Sequence, residues 1–356
     1  MKILFVVDTL ASGGAGRVVS ELANELDGSG DVVSICTFES PAESYELKDG
    51  IEHIDARMFI GDSSSFVRRA MFLRGLVKDQ MVTCMLSFLP KCNVASTAAA
   101  VYTDTYVIVC ERGCPDAGGA SFCDSALRRL LYPKYADGYV FQTEETRDCF
   151  PESVRRYAAV IGNPLDPSLP PPFEGARSPR IVMSGRLEKQ RNYPMALEAF
   201  SRIAGNFPDC TLEIYGEGRL RKDLAARIES LGLSGRVALR GHVQDLHERT
   251  RDASLYLRTS DSEGMSSGLM EAMAMGLPVV STDHRGGGAR ALIEDGVNGL
   301  LVPVGDVGRL AQCLESVLGD EALRSRLSAN ACRIREKYNA RSIAASWKQY
   351  MRKVMS

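Results

Sequence analysis

Apolar residues along this chain fall into two patterns, short unbroken runs and longer stretches in which they recur every three or four positions. Lys2–Val7 is an unbroken run, as expected of a strand buried on both faces. From 17 to 26, Val18, Leu22 and Leu26 share one helical face. Between them lies a glycine-rich turn, 8–16 (DTLASGGAG). Strand, glycine loop and helix form the opening unit of a Rossmann-like domain. No third glycine follows Gly14 and Gly16 at the dinucleotide spacing, and no G-K-[ST] is present, which counts against a dehydrogenase and an NTPase. Apolar runs at 81–88, 105–110 and 137–141 predict three more strands. Thr143 is placed to cap a short helix over 144–149, and Val160-Ile161 closes this half.

Proline then concentrates at 163–172 (NPLDPSLPPP), which marks a stiff boundary between two domains, 1–165 and 166–340. Beyond it the alternation resumes. A strand at 180–183 ends in Ser184-Gly185-Arg186, and a helix at Tyr193–Ile203 turns Ala196, Leu197 and Phe200 inward. A strand at 212–215 enters Gly216-Glu217-Gly218, a helix follows at 219–231, and a strand at 237–239 ends at Gly241-His242-Val243. Helical periodicity covers 306–318, 321–338 and 341–355. The fold class is therefore α/β, with two Rossmann-like units.

The most informative stretch is 258–283 (RTSDSEGMSSGLMEAMAMGLPVVSTD). It reads as a buried strand, a Gly/Ser-rich loop at 260–267, a helix from Gly268 to Met275 stopped by Gly276 and Pro278, and a new strand at Val279. The first N–H groups of that helix lack partners and carry the positive end of its dipole, so the start suits a phosphate. Ser266, Ser267 and Gly268 let a ligand approach the backbone. Glu263 and Glu271 lie eight positions apart. Carboxylates repel phosphate, so they are better suited to accepting hydrogen bonds from hydroxyls. A ligand with both groups is a nucleotide sugar. The plainer alternative is an ordinary βαβ unit with solvated acids.

Composition adds limits. A net charge of −2 gives no general reason to bind nucleic acid. Met1-Lys2 leads directly into a strand, so no signal peptide is expected, and no apolar run reaches the length of a membrane span. The ten cysteines show no paired metal spacing, Cys110 and Cys114 being the nearest pair. They predict a reduced, cytoplasmic protein with cysteines in its core. Two basic, apolar segments, 63–78 (SSSFVRRAMFLRGLVK) and 127–135 (LRRLLYPKY), can either lie on the inner face of an anionic membrane or pack on their own sheet.

The E-x7-E stretch resembles the signature of retaining glycosyltransferases with the GT-B fold, of the group 1 or family 4 type. The likeness continues through LPVVSTD and GGARALIEDGVNGLLVP, and it narrows at VIVCERGCPD, LRRLLYPKYADGYVFQTEETRDCFP and VIGNPLDP to bacterial enzymes of surface polysaccharide or lipid-linked glycans. It implies two Rossmann-like domains facing each other across a cleft, an acceptor domain first and a donor domain second, with the segment from 341 to 356 crossing back to the first. It implies transfer of a hexose or N-acetylhexosamine from a nucleotide sugar, most commonly UDP-linked, to a glycan or polyprenyl-linked acceptor.

The same resemblance assigns expected roles. Gly13, Gly14 and Ala15 match a loop that approaches the donor phosphates, with Gly16 where Glu is common. Gly185-Arg186 and a cation about five residues later grip the diphosphate; Arg191 holds that place and Lys189 is its rival. Gly216 and Gly241-His242-Val243 frame the nucleobase, although His242 also fits an ordinary strand end. Gly264, Met265, Ser266, Ser267 and Gly268 lead to the phosphate, Glu271 holds ribose hydroxyls, and Glu263 holds sugar hydroxyls while supporting the cations. Glu111 stands at an edge where many relatives carry His, as a sugar or acceptor contact or else in a salt bridge with a neighbouring base. No D-x-D triplet occurs, so no divalent metal and no cofactor beyond the donor is expected. The leaving phosphate would help deprotonate the acceptor on the front face. Rival readings are a glycoside hydrolase using Glu263 and Glu271, which needs carboxyls about 5–9.5 Å apart, a nucleotide-sugar 2-epimerase, and a non-catalytic partner subunit.

Overall fold

Seven short runs pair side by side in the first unit: β1 (Lys2–Val7), β2 (Val32–Thr37), β3 (Glu52–Asp55), β4 (Cys84–Phe88), β5 (Tyr106–Glu111), β6 (Gly138–Phe141) and β7 (Ala158–Val160). Their order is β3-β2-β1-β4-β5-β6-β7, with every pairing parallel. This is a computed structural model, and it describes residues 1–11, 13–28, 30–39, 45–62, 65–113 and 122–356, the side chains of 122–125 excepted. Cys114, residue 12 of the glycine turn and residues 63–64 of the first basic segment lie outside the described residues. The unit comprises Met1–Pro164 together with Tyr338–Ser356. The terminal helix Ala340–Met355 buries Ile343, Trp347 and Met351, and Trp347 stacks on Phe88 at the end of β4.

The second unit, Leu165–Lys337, holds β8 (Ser178–Ser184), β9 (Thr211–Tyr215), β10 (Val237–Gly241), β11 (Ala253–Arg258), β12 (Val279–Asp283) and β13 (Leu300–Pro303). Their order is β10-β9-β8-β11-β12-β13, again all parallel. Each sheet reverses its winding once, between β1 and β4 and between β8 and β11. In open parallel sheets such reversals leave a crevice at the carboxyl ends of the strands, where ligands bind. Burial follows the apolar runs. Leu255, Leu257, Ile181 and Ile214 pack with Leu197 and Phe200 of the helix Tyr193–Ile203 in one core.

Several expectations change in detail. The first helix begins at Gly14, with Gly13 as its N-cap at φ 90°, so Gly14, Ala15 and Gly16 form its first turn and not the end of a loop. Gly16 is needed there because a Cβ would come within 2.9 Å of the Thr9 carbonyl. The stretch 321–338 breaks into two helices, Glu321–Ala331 and Ile334–Lys337. Both basic, apolar segments turn an arginine inward: Arg69 pairs with Asp8 at 2.7 Å, and Arg128 pairs with Glu111. Six of the cysteines are free and buried, in the core as expected. Among the described residues, no helix is long and apolar enough to cross a membrane.

Glycines set the closest approaches at the carboxyl edge of the second sheet. A Cβ on Gly216 would sit 2.1 Å from the Gly185 carbonyl oxygen, and one on Gly288 would sit 1.9 Å from that of Gly264. Both neighbours are backbone, so neither can rotate away. Gly288→Ala should therefore push the 263–265 loop out of place and cost about 2–3 kcal/mol, as overpacking does. Thermal unfolding measures this directly, and an unchanged melting temperature would mean the loop packs differently.

Candidate functional site

The winding reversal between β8 and β11 brings their carboxyl ends, Ser184 and Arg258, side by side. Arg258 is 5% exposed, an unusual position for a charge, and it closes the last position of a wholly buried strand. Its Nη1 donates to the Ser184 carbonyl at 2.5 Å and so ties the two strand ends together. Its other two nitrogens form a fork on Glu263, Nε to Oε2 at 2.9 Å and Nη2 to Oε1 at 2.6 Å. Arg191, from the short turn Lys189–Arg191, pairs with Glu263 Oε1 from another side, and the Ser260 hydroxyl donates to Oε2 at 3.1 Å. A carboxylate offers about four acceptor positions, and here all four are filled.

This cluster carries two positive charges and one negative, a surplus of one. Burial alone would raise the Glu263 carboxyl, but Arg258 and Arg191 beside it hold it down at about 2. Burial pushes the Arg191 guanidinium below its ordinary value, with Arg258 adding to that effect and Glu263 opposing it. Arg191 Nε is buried and has no acceptor. The backbone around it is fixed by Thr259, whose hydroxyl donates to the Arg191 carbonyl at 3.0 Å, and by Asn192, whose amide donates to Asp261 at 2.7 Å.

Next to the cluster, Ser266 caps the helix Ser267–Ala274, its hydroxyl accepting from Leu269 N. Gly268 is required because a Cβ would meet the Tyr256 hydroxyl at 2.8 Å and Ser184 Oγ at 3.1 Å. Glu271, on the same helix, is largely buried and meets His247 Nε2 at 3.0 Å. The loop Gly264-Met265 rests on Gly286 and Gly288, as the close approaches of those glycines show.

The remaining expected residues divide. Arg186 and Lys189 are exposed, and neither has an ion pair among the described residues, so Arg191 and not Lys189 is the cation drawn into the cluster. Gly185 and Gly216 lie against each other at the ends of β8 and β9, and Gly241 bridges to Gly216. His242 is exposed just beyond β10, and Val243 is half-buried. In the first unit, Gly13 caps the helix that Gly14 and Ala15 begin. Glu111 is 2% exposed: it accepts from the Tyr132 hydroxyl at 2.6 Å and pairs with Arg128 at 3.6 Å, the salt-bridge alternative. Burial raises its carboxyl, with Arg128 opposing.

Three residues were not anticipated. Arg258 read as the polar end of a strand, and only the fold shows that it reaches both Ser184 and Glu263. His247 sits on the helix Leu246–Thr250, whose position over Glu271 no local pattern reveals. His284 is 1% exposed, and its Nε2 has no partner.

Two outcomes follow from the cluster. Arg258→Leu strands a buried carboxylate and should destabilise the chain by about 3–5 kcal/mol; adding Glu263→Gln should recover part of that loss. Because the Glu263 carboxyl is depressed from 4.5 to about 2, its stabilising contribution is complete above pH 4.5 and disappears as pH falls through about 2. The difference in melting temperature between the wild type and Glu263→Gln should shrink across that window. A difference that stays constant would show that the ion pairs do not hold Glu263.

The family described as "Glycosyl transferases group 1" matches residues 172–333, which contain the whole cluster. A Campylobacter jejuni protein, "GalNAc-alpha-(1->4)-GalNAc-alpha-(1->3)-diNAcBac-PP-undecaprenol alpha-1,4-N-acetyl-D-galactosaminyltransferase", is 28% identical over 98% of this chain and 97% of its own length. Among solved structures, Anabaena HepE in complex with UDP has a TM-score of 0.83 at 18% identity, covering 99% of this chain and 100% of that one. Sucrose-phosphate synthase from Thermosynechococcus elongatus has a TM-score of 0.86 at 16% identity, covering 99% and 98%. At those identities the structures establish the fold alone. Residues 172–333 are therefore similar to the group 1 glycosyltransferases, and the chain has the GT-B fold.

Proposed function

We propose that the chain transfers a hexose or N-acetylhexosamine from a UDP-sugar to a glycan or lipid-linked acceptor, with retention of anomeric configuration, in bacterial surface-polysaccharide synthesis. The observation that carries this reading is the surplus positive charge of Arg258, Glu263 and Arg191, placed beside the start of the helix Ser267–Ala274 at a winding reversal. It is supported by the lipid-linked substrate named for the Campylobacter relative and by the UDP bound to HepE.

When the bond between the anomeric carbon and the diphosphate breaks, negative charge builds on the leaving phosphate. Arg186, free of carboxylates, Arg191, with its unpartnered Nε, and the helix N–H groups near Ser266 and Ser267 would stabilise that charge. These fixed cations supply what a divalent metal supplies elsewhere, so the proposed reaction needs none. Glu263 serves as the anchor of Arg191, since its acceptor positions are filled. Glu271 holds the ribose hydroxyls, and the edges at Gly216 and at Gly241, His242 and Val243 frame the base. The leaving phosphate takes the proton of the acceptor hydroxyl as that hydroxyl attacks the same face. The proposed location is the cytoplasmic side of the membrane, where exposed Val67 and Met71 flanked by Arg68 and Lys78 offer a surface for peripheral contact.

A thermal-shift screen of UDP-, GDP-, ADP- and dTDP-sugars in EDTA tests the donor. At 100 times its dissociation constant the correct donor should stabilise by about 2.7 kcal/mol, and Glu271→Ala should abolish the shift. Arg186→Ala should leave the fold intact and lower kcat by about 10²–10³, as loss of one charge-stabilising donor does. No response to any nucleotide sugar would defeat the reading, and an inverted product anomer by NMR would defeat the front-face mechanism.

A further inference from the structure

The first unit has a second polar site that the transfer reaction above does not use. Successive residues of a strand point to opposite faces. Thus Glu111 turns toward Arg128 and Tyr132, whereas Arg112 turns the other way, over the Phe88 ring at 5.2 Å from its centroid. There it joins Val18, Gln142, Asn163 and Trp347 in lining a small pocket, which Glu111 also borders while its carboxylate is engaged by Arg128 and Tyr132, with room for about one water-sized group.

The hydrogen bonds of this pocket do not balance. Arg112 Nη1 donates to Asn163 Oδ1 at 3.0 Å, and Gln142 Nε2 donates to the same oxygen at 2.5 Å. That acceptor is therefore used twice. Arg112 Nε and Trp347 Nε1, both buried, have no acceptor at all, and Trp347 is 2% exposed. No carboxylate pairs with Arg112 among the described residues. Burial pushes its guanidinium down to about 10, with Cys110 opposing. Native structures rarely leave buried donors unpaired, and two beside one cation call for an acceptor that bears negative charge.

We propose that Arg112 and Trp347 form an oxyanion site that receives a phosphate oxygen of a phosphate ester. A lipid diphosphate and a nucleotide diphosphate share that chemistry. Water satisfies the two N–H groups but leaves the charge of Arg112 unbalanced, whereas a phosphate oxygen answers both.

The chain contains a single tryptophan, so its emission reports this site alone. Titration with inorganic pyrophosphate, farnesyl diphosphate and UDP should give a saturable change in emission with at least one of them. Arg112→Leu should weaken that response at least tenfold, and Arg112→Gln, which keeps a polar N–H donor but removes the charge, serves the same purpose should the leucine variant not fold. Tighter response to farnesyl diphosphate than to UDP assigns the site to a lipid-linked ligand, and the reverse order to a nucleotide. A response that is merely linear in concentration, or equal in wild type and variants, overturns the proposal and leaves the pocket to water. No turnover is measured, so this result stands or falls separately from the donor reading.

Discussion

The fork between Arg258 and Glu263 is the contact on which the second unit's site depends. A guanidinium at the end of a buried strand is costly unless its donors are satisfied. Glu263 satisfies two of them and the Ser184 carbonyl a third, so the loop after β11 is held to the carboxyl end of β8. With the loop held there, Arg191 finds the remaining side of Glu263, and the helix after the loop starts beside them. Removing either member of the fork would release a charge and a loop together. The ions of the site are internal, and it is positive because there is one more cation than anion.

Much of this was legible before the fold was known. Unbroken apolar runs and the cap at Thr143 depend on local physics, and the structure places elements where they point. The β-bulge-free edge strand β3 (Glu52–Asp55) shows where local pattern fails: with His53 and Ile54 between two acids, only parallel pairing to β2 makes it a strand. The glycines of 8–16 suggested a turn that runs to Gly16, yet two of them form the first turn of a helix, because Gly16 must approach the Thr9 carbonyl.

Site residues were legible to a different degree. Glu263, Glu271, Arg191 and the helix start stand in one readable stretch or near a recognisable strand end. Their partners do not. Arg258 matters through Ser184, 74 positions away in sequence, and His247 through Glu271, 24 positions away. Glu111 and Arg112 make the same point within two residues. Glu111 ends β5 and Arg112 follows it, and which of them has a counter-ion follows from the position of Arg128, not from their chemistry. Charge near a sheet edge locates a site, but pairing decides which charge is free to meet a ligand.

The most direct test of this account is a crystal structure of the chain with UDP bound. The account predicts the diphosphate at Arg186, Arg191 Nε and the start of the helix Ser267–Ala274, the ribose hydroxyls on Glu271, and the Arg258–Glu263 fork unchanged. A diphosphate bound away from those groups, or a Glu263 that leaves Arg258 to contact the ligand, would contradict it.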